Sequence, residues 1–431
     1  MELQNNTKGI YSKLNEVNTL QLFNLMRYGT HFLLSFILAW FCNKELIAGY
    51  ETALLLSTLV SFFFISSLNQ AMVSYFKKND QTKKLIWSAF VVLVLMTGVS
   101  VVLFVLYLFF FSNAEEQKKM IRFLPFLFFN MLGYFVEFYL YISSQKKKML
   151  LYGMLTFLFY FSLVLFGMGL KQNLVLTFSL LTCLAICKCT YMFLILPKPI
   201  RIYKDHFFAI IKTTLPITAS LLLGGSLLHI LGLYVKQSFS SDDFVIFRYG
   251  SREFPLILIL ANSFSIAYTG ILSKNLAVHK GDFIRSYKRL LWQCFTIAIL
   301  LMLSSKFLFF TFYGESFTEA AKIFNIFLLF ILSRLLFPQT FLLATNNQNY
   351  FYISSSLELF FGLLFGFWLG NIYGIVGIAY GALIAYFIEK FVLLYFLSKT
   401  GVSYQKWMPI GHYLIGAFLL GICYLTSLFV L

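Results

Sequence analysis

LIWSAFVVLVLMTGVSVVLFVLYLFFF, residues Leu85–Phe111, contains no charged side chain and a single glycine. At ~1.5 Å per residue, a helix of this length crosses about 30 Å of hydrocarbon. Lipid offers no partner to a backbone N–H or C=O, so a lipid-exposed run of this kind must be helical. A membrane β-barrel would instead show alternating segments of about ten residues. Working outward, comparable stretches recur along the whole chain. Spans are expected near 20–42, 48–76, 84–112, 120–143, 149–170, 173–196, 208–235, 243–273, 289–312, 320–344, 351–371, 373–397 and 408–431. The fold class is therefore an all-α integral membrane protein of about 12–13 transmembrane helices.

Composition agrees. Of the 431 residues, 60% are apolar and 12% charged. A soluble domain carries about a quarter charged residues, enough to coat its surface with water-binding groups. Residues 1–19 are polar, carry Lys8 and Lys13, and lack a cleavage site behind a short apolar core, so the first apolar segment is expected to be a retained span. The six cysteines lie in or beside apolar runs and read as small buried apolar groups. Cys183, Cys187 and Cys189 have no Cys or His set with zinc spacing beside them, so no metal and no cofactor is expected.

The net charge of +17 would suit nucleic acid, but its basic residues sit in short loops between spans. With the N-terminus in the cytoplasm, inside segments hold 19 Lys and Arg, among them Lys77, Lys78, Lys147, Arg201 and Lys280. Outside loops hold 6, namely Lys44, Lys118, Lys119, Arg122, Lys171 and Lys236. This bias fixes the expected orientation, and one missed span would invert every later loop. A multi-pass membrane protein with a cytoplasmic N-terminus is the localisation that follows.

Pro197 and Pro199 mark an inside connection that reads as a linker. The expected organisation is a cytoplasmic segment 1–19, an N-lobe of six spans at 20–196, a cytoplasmic linker at 197–207, a C-lobe of six spans at 208–397 and an additional C-terminal span at 408–431. The second span of each half opens after an acidic outside turn (Glu45; Asp242-Asp243) and ends in a basic inside turn. Such repeats, related by pseudo-two-fold symmetry, place a transporter's substrate site between the halves.

Charges inside the spans are costly and retained for a reason. Arg27 and His31 share a face of the first span; Arg27 is either a snorkelling residue or a cavity residue. Glu137 and Glu358 are either partners of buried cations or coupling carboxylates. Lys188 and Arg334 are either ion-pair glue or substrate contacts. His31 and His229 either titrate in a coupling cycle or are structural. Glu389-Lys390 reads as interfacial, and Lys306 as lipid-snorkelling or paired. Arg248 and Arg252, four apart in the eighth span and followed by Glu253, read as lining a water-filled cavity. The deep set is Arg27, Lys188, Arg248, Arg252 and Arg334 against Glu137, Glu253 and Glu358, five cations to three anions. The surplus calls for an anion, and Arg binds phosphate bidentately.

Glu45-Leu46-Ile47-Ala48-Gly49-Tyr50-Glu51-Thr52-Ala53, running on to Ser66-Ser67-Leu68-Asn69-Gln70-Ala71, resembles the first loop and second span of polysaccharide-biosynthesis membrane proteins. Phe247-Arg248-Tyr249-Gly250-Ser251-Arg252-Glu253-Phe254-Pro255 resembles the opening of their eighth span. This family comprises the O-antigen and capsule flippases of the multidrug/oligosaccharidyl-lipid/polysaccharide exporter superfamily. The resemblance implies two six-helix lobes in a V, cationic cavities, and movement of an undecaprenyl-pyrophosphate-linked oligosaccharide across the inner membrane. It also implies that basic residues on the first and eighth spans serve the substrate, and Arg27, Arg248 and Arg252 occupy such places. Twelve or fourteen spans are usual in the family, and thirteen are found here.

The expected function is thus flipping of a lipid-linked oligosaccharide by alternating access, with Arg27, Arg248, Arg252, Lys188 and Arg334 binding substrate and Glu137, Glu358 and His31 coupling. The expected partners are the lipid-linked pyrophosphate, membrane lipids and other polysaccharide-assembly membrane proteins. A multidrug or small-cation exporter would favour an acidic cavity. A glycan polymerase or transferase needs a substantial periplasmic loop or a clustered acid/base set, and the outside loops are short, so no enzyme is expected.

Overall fold

The computed structural model describes residues 2–430 apart from 77–81, 144, 198–202, 253–254, 273–278, 346 and 348. Side chains are described from Leu22 onward, save some positions beside those gaps. Among the described residues every regular element is helical, and ten helices are long and apolar enough to cross a membrane. The chain divides into two units, Met1–Leu222 and Leu223–Leu431.

The first unit contains α1 (Glu2–Phe41), α2 (Lys44–Phe76), α3 (Thr82–Phe111), α4 (Ala114–Met120), α5 (Leu124–Ile142), α6 (Lys146–Val164), α7 (Leu174–Ile195) and most of α8 (Lys204–Gly225). A π-helical turn, Leu165–Leu170, closes α6. Asn113 and Asn173 start α4 and α7, each side chain accepting a backbone N–H three residues on. Glycines set how near the helices pass. A Cβ at Gly153 of α6 would lie 2.6 Å from the Phe23 ring of α1, and one at Gly133 of α5 would lie 3.0 Å from Lys188 Cβ of α7. Across α2 and α3, Ser100 Oγ donates to the Val60 carbonyl at 2.6 Å. The core is an unbroken apolar cluster running from Phe23 through Trp87, Phe135 and Met192 to Ile210.

The second unit contains the end of α8, then α9 (Leu227–Ser238), α10 (Ser241–Gly250), α11 (Pro255–Leu272), α12 (Lys280–Tyr313), α13 (Ala320–Arg334), α14 (Pro338–Ala344), α15 (Tyr350–Lys399) and α16 (Ile410–Val430). α15 is two helices joined at Gly374, whose φ of 64° and ψ of −148° suit glycine alone. They fold back as a hairpin. A Cβ on Gly381 would lie 2.5 Å from the Gly366 nitrogen, and at the open end the Tyr350 and Phe396 rings stack with centroids 4.3 Å apart. Gly362, Gly366 and Gly370, four apart, form the face against which Leu227 and Leu231 of α9 and the returning arm pack. α16 lies on α12, where a Cβ at Gly416 would lie 2.2 Å from the Phe295 ring.

Three spans expected as continuous helices are broken here. The seventh breaks at Ser226, between α8 and α9. The eighth ends as a helix at Gly250 and resumes at Pro255, a residue suited to the first position of a helix. The tenth breaks at 335–337, where Pro338 has no N–H to return to the preceding turn. There the freed carbonyls find side-chain donors: Tyr287 hydroxyl donates to the Leu335 carbonyl and Tyr413 hydroxyl to that of Leu332. The Phe337 N–H donates to Tyr404 hydroxyl at 3.1 Å. The boundary between units falls at Leu222–Leu223, inside α8, whereas the sequence placed a linker at 197–207; residues 198–202 of it lie outside the described residues.

Candidate functional site

In the first unit, Asn130, Tyr134 and Glu137 stand at i, i+4 and i+7 on one face of α5. Arg27 of α1 meets that face, its Nη2 donating to Glu137 Oε2 in an ion pair. Its guanidinium carbon also lies 5.2 Å from the Phe23 and Tyr134 rings and 5.8 Å from the Phe157 ring of α6. Lys188 approaches the same Tyr134 ring, with Nζ 4.9 Å from its centroid and donating to Asn130 Oδ1 at 2.9 Å. The cluster therefore holds two cations and one carboxylate. The Arg27 side chain is 26% exposed and that of Glu137 12%, so the pair is neither dissolved in water nor sealed from it. Arg27 Nε is buried with no hydrogen-bond partner. The arrangement suits an anion.

His31, on the face of Arg27, is exposed and packs edge-on to the Tyr160 ring at 5.2 Å; Tyr160 in turn shares a 2.6 Å hydrogen bond with Tyr50. Glu51, beside Tyr50 in α2, is 1% exposed, a buried carboxylate outside the deep set expected from the sequence. Asn130 and Tyr134 were also missed. Their i, i+4, i+7 spacing with Glu137 was visible in the sequence, but neither carries charge.

In the second unit, α10 begins with a capping box: Ser240 Oγ accepts the Asp243 N–H at 3.1 Å, and Asp243 Oδ2 accepts the Ser240 N–H. Arg248 lies in its last turn. Arg252 lies beyond the helix end, its guanidinium 4.6 Å from the Tyr249 ring. The expectation that both arginines share one face of a continuous helix is thus corrected, and Glu253 lies outside the described residues. Both arginines are half-buried. His229 Nδ1 lies 3.1 Å from the Gly225 carbonyl at the α8–α9 break, within electrostatic reach of Arg248.

A second buried set joins α13, α14 and both arms of α15. Glu389 and Lys390, read from the sequence as interfacial, are 5% and 7% exposed. Lys390 Nζ lies 2.8 Å from Glu389 Oε2, and Gln339 Nε2 donates to Glu389 Oε1 at 2.7 Å. Inward placement has a simple cause: the hairpin turns this face of its returning arm toward α14. Glu358, on the outgoing arm, is 2% exposed with Oε1 lacking a hydrogen-bond partner, while Glu389, Lys390 and Arg334 are within electrostatic reach. Arg334 places its guanidinium 5.7 Å from the Tyr386 ring. Counting Arg334 and Lys390 against Glu358 and Glu389, this set is neutral. Among the described residues no group of His, Cys, Asp and Glu could hold a metal ion.

No protein-family model matches the chain. No curated protein matches it either. Solved structures do. The lipid II flippase MurJ, in an inward closed conformation, is similar at a TM-score of 0.69 and 15% identity, over 94% of this chain and 97% of that one. A mutant of the Vibrio cholerae MATE transporter VcmN is similar at 0.61 and 15%, over 90% and 95%. A MOP superfamily transporter from Pyrococcus furiosus, reported for the reversed polarity of its binding pocket, is similar at 0.62 and 9%, over 90% and 94%. The chain shares the fold of these three structures along nearly its whole length.

Proposed function

We propose that the chain moves an undecaprenyl-pyrophosphate-linked oligosaccharide, an O-antigen or capsule repeat unit, across the bacterial inner membrane by alternating access. The observation that carries this reading is the first-unit cluster, in which Arg27 and Lys188 face a single carboxylate, Glu137. A surplus cation at membrane depth is costly unless an anion visits it. A phosphate supplies that anion, and the planar guanidinium of Arg27 can hold two of its oxygens. Arg248 and Arg252, around the end of α10, offer a second pair of cations where the helix gives way, a form in which transporters bind charged cargo. Arg334 belongs to the neutral set of α13 and α15 and is the weakest of the proposed substrate contacts.

Coupling is assigned to Glu137, Glu358 and His31. Export of a cationic drug by the same fold would call for a carboxylate surplus, and neither charged cluster has one. The lobes at 20–196 and 208–397, the cytoplasmic N-terminus and contact with other assembly proteins belong to the same proposal.

Deletion of the gene should leave a lipid-linked oligosaccharide on the cytoplasmic leaflet. Arg27→Ala, Lys188→Met and Arg252→Ala proteins should reach the membrane at normal levels and fail to restore export. A charged hydrogen bond contributes ~1.5–3 kcal/mol, so each loss should weaken binding roughly 10- to 150-fold. If the deletion strain accumulates no lipid-linked sugar, or if all three variants export normally, the reading is wrong.

A further inference from the structure

The Arg27–Glu137 pair has a feature that a purely structural ion pair does not require. Arg27 is the only cation bonded to Glu137 among the described residues, and each of the two helices that carry them, α1 and α5, also has a close seat on another helix. α1 is seated on α6 through Phe23 and Gly153, and α5 on α7 through Gly133 and Lys188. The pair is also left partly open, with a quarter of the Arg27 side chain accessible and its Nε unbonded. The Phe23, Tyr134 and Phe157 rings also lie around the guanidinium, with centroids 5.2, 5.2 and 5.8 Å from its carbon. Lys188 has its own anchors, the bond to Asn130 and the contact with the Tyr134 ring.

From this geometry we propose that Glu137 is a resident stand-in for the substrate's phosphate: it occupies the Arg27 guanidinium when the site is empty, and the incoming phosphate displaces it. The proposal rests on the reading of Arg27 as a phosphate contact. A carboxylate and a phosphate present the same oxygens to a guanidinium, so they compete for it directly. The empty site then never leaves two cations without a counter-charge. The loaded site frees one carboxylate, with a surplus Lys188 nearby to receive it. Glu137 thus limits affinity so that the cargo can leave. Its role is that of a positioning residue, and the ligand class is a phosphate or pyrophosphate ester, whether on a polyprenyl carrier or on an ordinary phospholipid.

The test uses the full-length protein in nanodiscs of zwitterionic lipid, titrated with undecaprenyl pyrophosphate and, in a parallel arm, with nanodiscs containing phosphatidylglycerol. Glu137→Gln removes the competing charge while keeping the shape, and should tighten undecaprenyl pyrophosphate binding by roughly tenfold or more, the worth of one charged hydrogen bond. Glu137→Asp keeps the charge and should bind within a few-fold of wild type. Arg27→Ala combined with Glu137→Gln should lose the gain. A role in holding the helices together would make Glu137→Gln bind more weakly or unfold earlier, so a weaker or unchanged affinity overturns the proposal. Equal tightening toward phosphatidylglycerol identifies the displaced-anion chemistry as that of any phosphate ester; tightening confined to undecaprenyl pyrophosphate identifies the polyprenyl carrier. If wild type and Glu137→Gln both fail to bind in either arm, the proposed function fails with it. If both bind equally well, only this inference fails.

Discussion

Lys390→Met converts the buried pair of α15 into a test of placement. Methionine is close to lysine in volume and removes only the charge. The Lys390 side chain is 8% exposed and that of Glu389 7%, with 2.8 Å between Nζ and Oε2. Were the pair interfacial, solvent would screen it and its loss would cost ~0–1 kcal/mol. Buried as it is, removing the ammonium leaves Glu389 with Gln339 as its bonded partner and should cost about 3–5 kcal/mol, roughly two to three and a half decades in the unfolding equilibrium. Adding Glu389→Gln removes the stranded charge and should recover most of the loss, so the two substitutions are strongly non-additive. The assay is equilibrium unfolding of purified protein in mild detergent, followed by far-UV circular dichroism as denaturing detergent is titrated in. A Lys390→Met protein within about 1 kcal/mol of wild type, or a double variant no better than the single, would refute the reasoning.

Gly374→Ala should destabilise by about 1–3 kcal/mol through backbone strain alone, since nothing lies within 4 Å of a Cβ there; Gly281→Ala, equally open but helical, should be neutral or slightly stabilising in the same unfolding assay. Gly416→Leu should drive α16 off α12 by collision with Phe295, seen as protease cleavage around residues 400–409 in the purified protein. Cysteines introduced at Lys147 and Lys280 should resist an impermeant thiol reagent applied from outside and react once the membrane is opened; outside labelling at either would overturn the proposed orientation. Ser100→Ala should cost about 1 kcal/mol, because it leaves the Val60 carbonyl without its 2.6 Å donor between α2 and α3.

Much of the candidate site was legible because charge in a lipid-facing sequence is conspicuous. Arg27, Glu137 and Lys188 stand out against apolar neighbours, and the structure brings the three around one tyrosine. Asn130 and Tyr134 escaped because an uncharged polar residue carries little penalty and so little signal. Glu389-Lys390 misled because distance from the end of a span measures depth along the membrane normal and says nothing of which side of a helix faces protein. Arg248 and Arg252 misled for a different reason. Spacing of four places residues on one face only while the helix continues, and α10 stops between them.

By itself the sequence determined that the chain is a bundle of helices long and apolar enough to cross a membrane, roughly where they lie, and which charges fall within them. Those properties are local, since hydrocarbon thickness and backbone satisfaction act on each segment alone. Tertiary structure decided which helices break, which glycines let neighbours touch, and which charge meets which. The α15 hairpin needs Gly374 at positive φ and Gly366 against Gly381 at once, and the break after Arg334 is stable because Tyr287, Tyr404 and Tyr413 arrive from other elements to bond its exposed backbone. Pairings of this kind join residues tens to more than a hundred positions apart, and no window of sequence contains both partners.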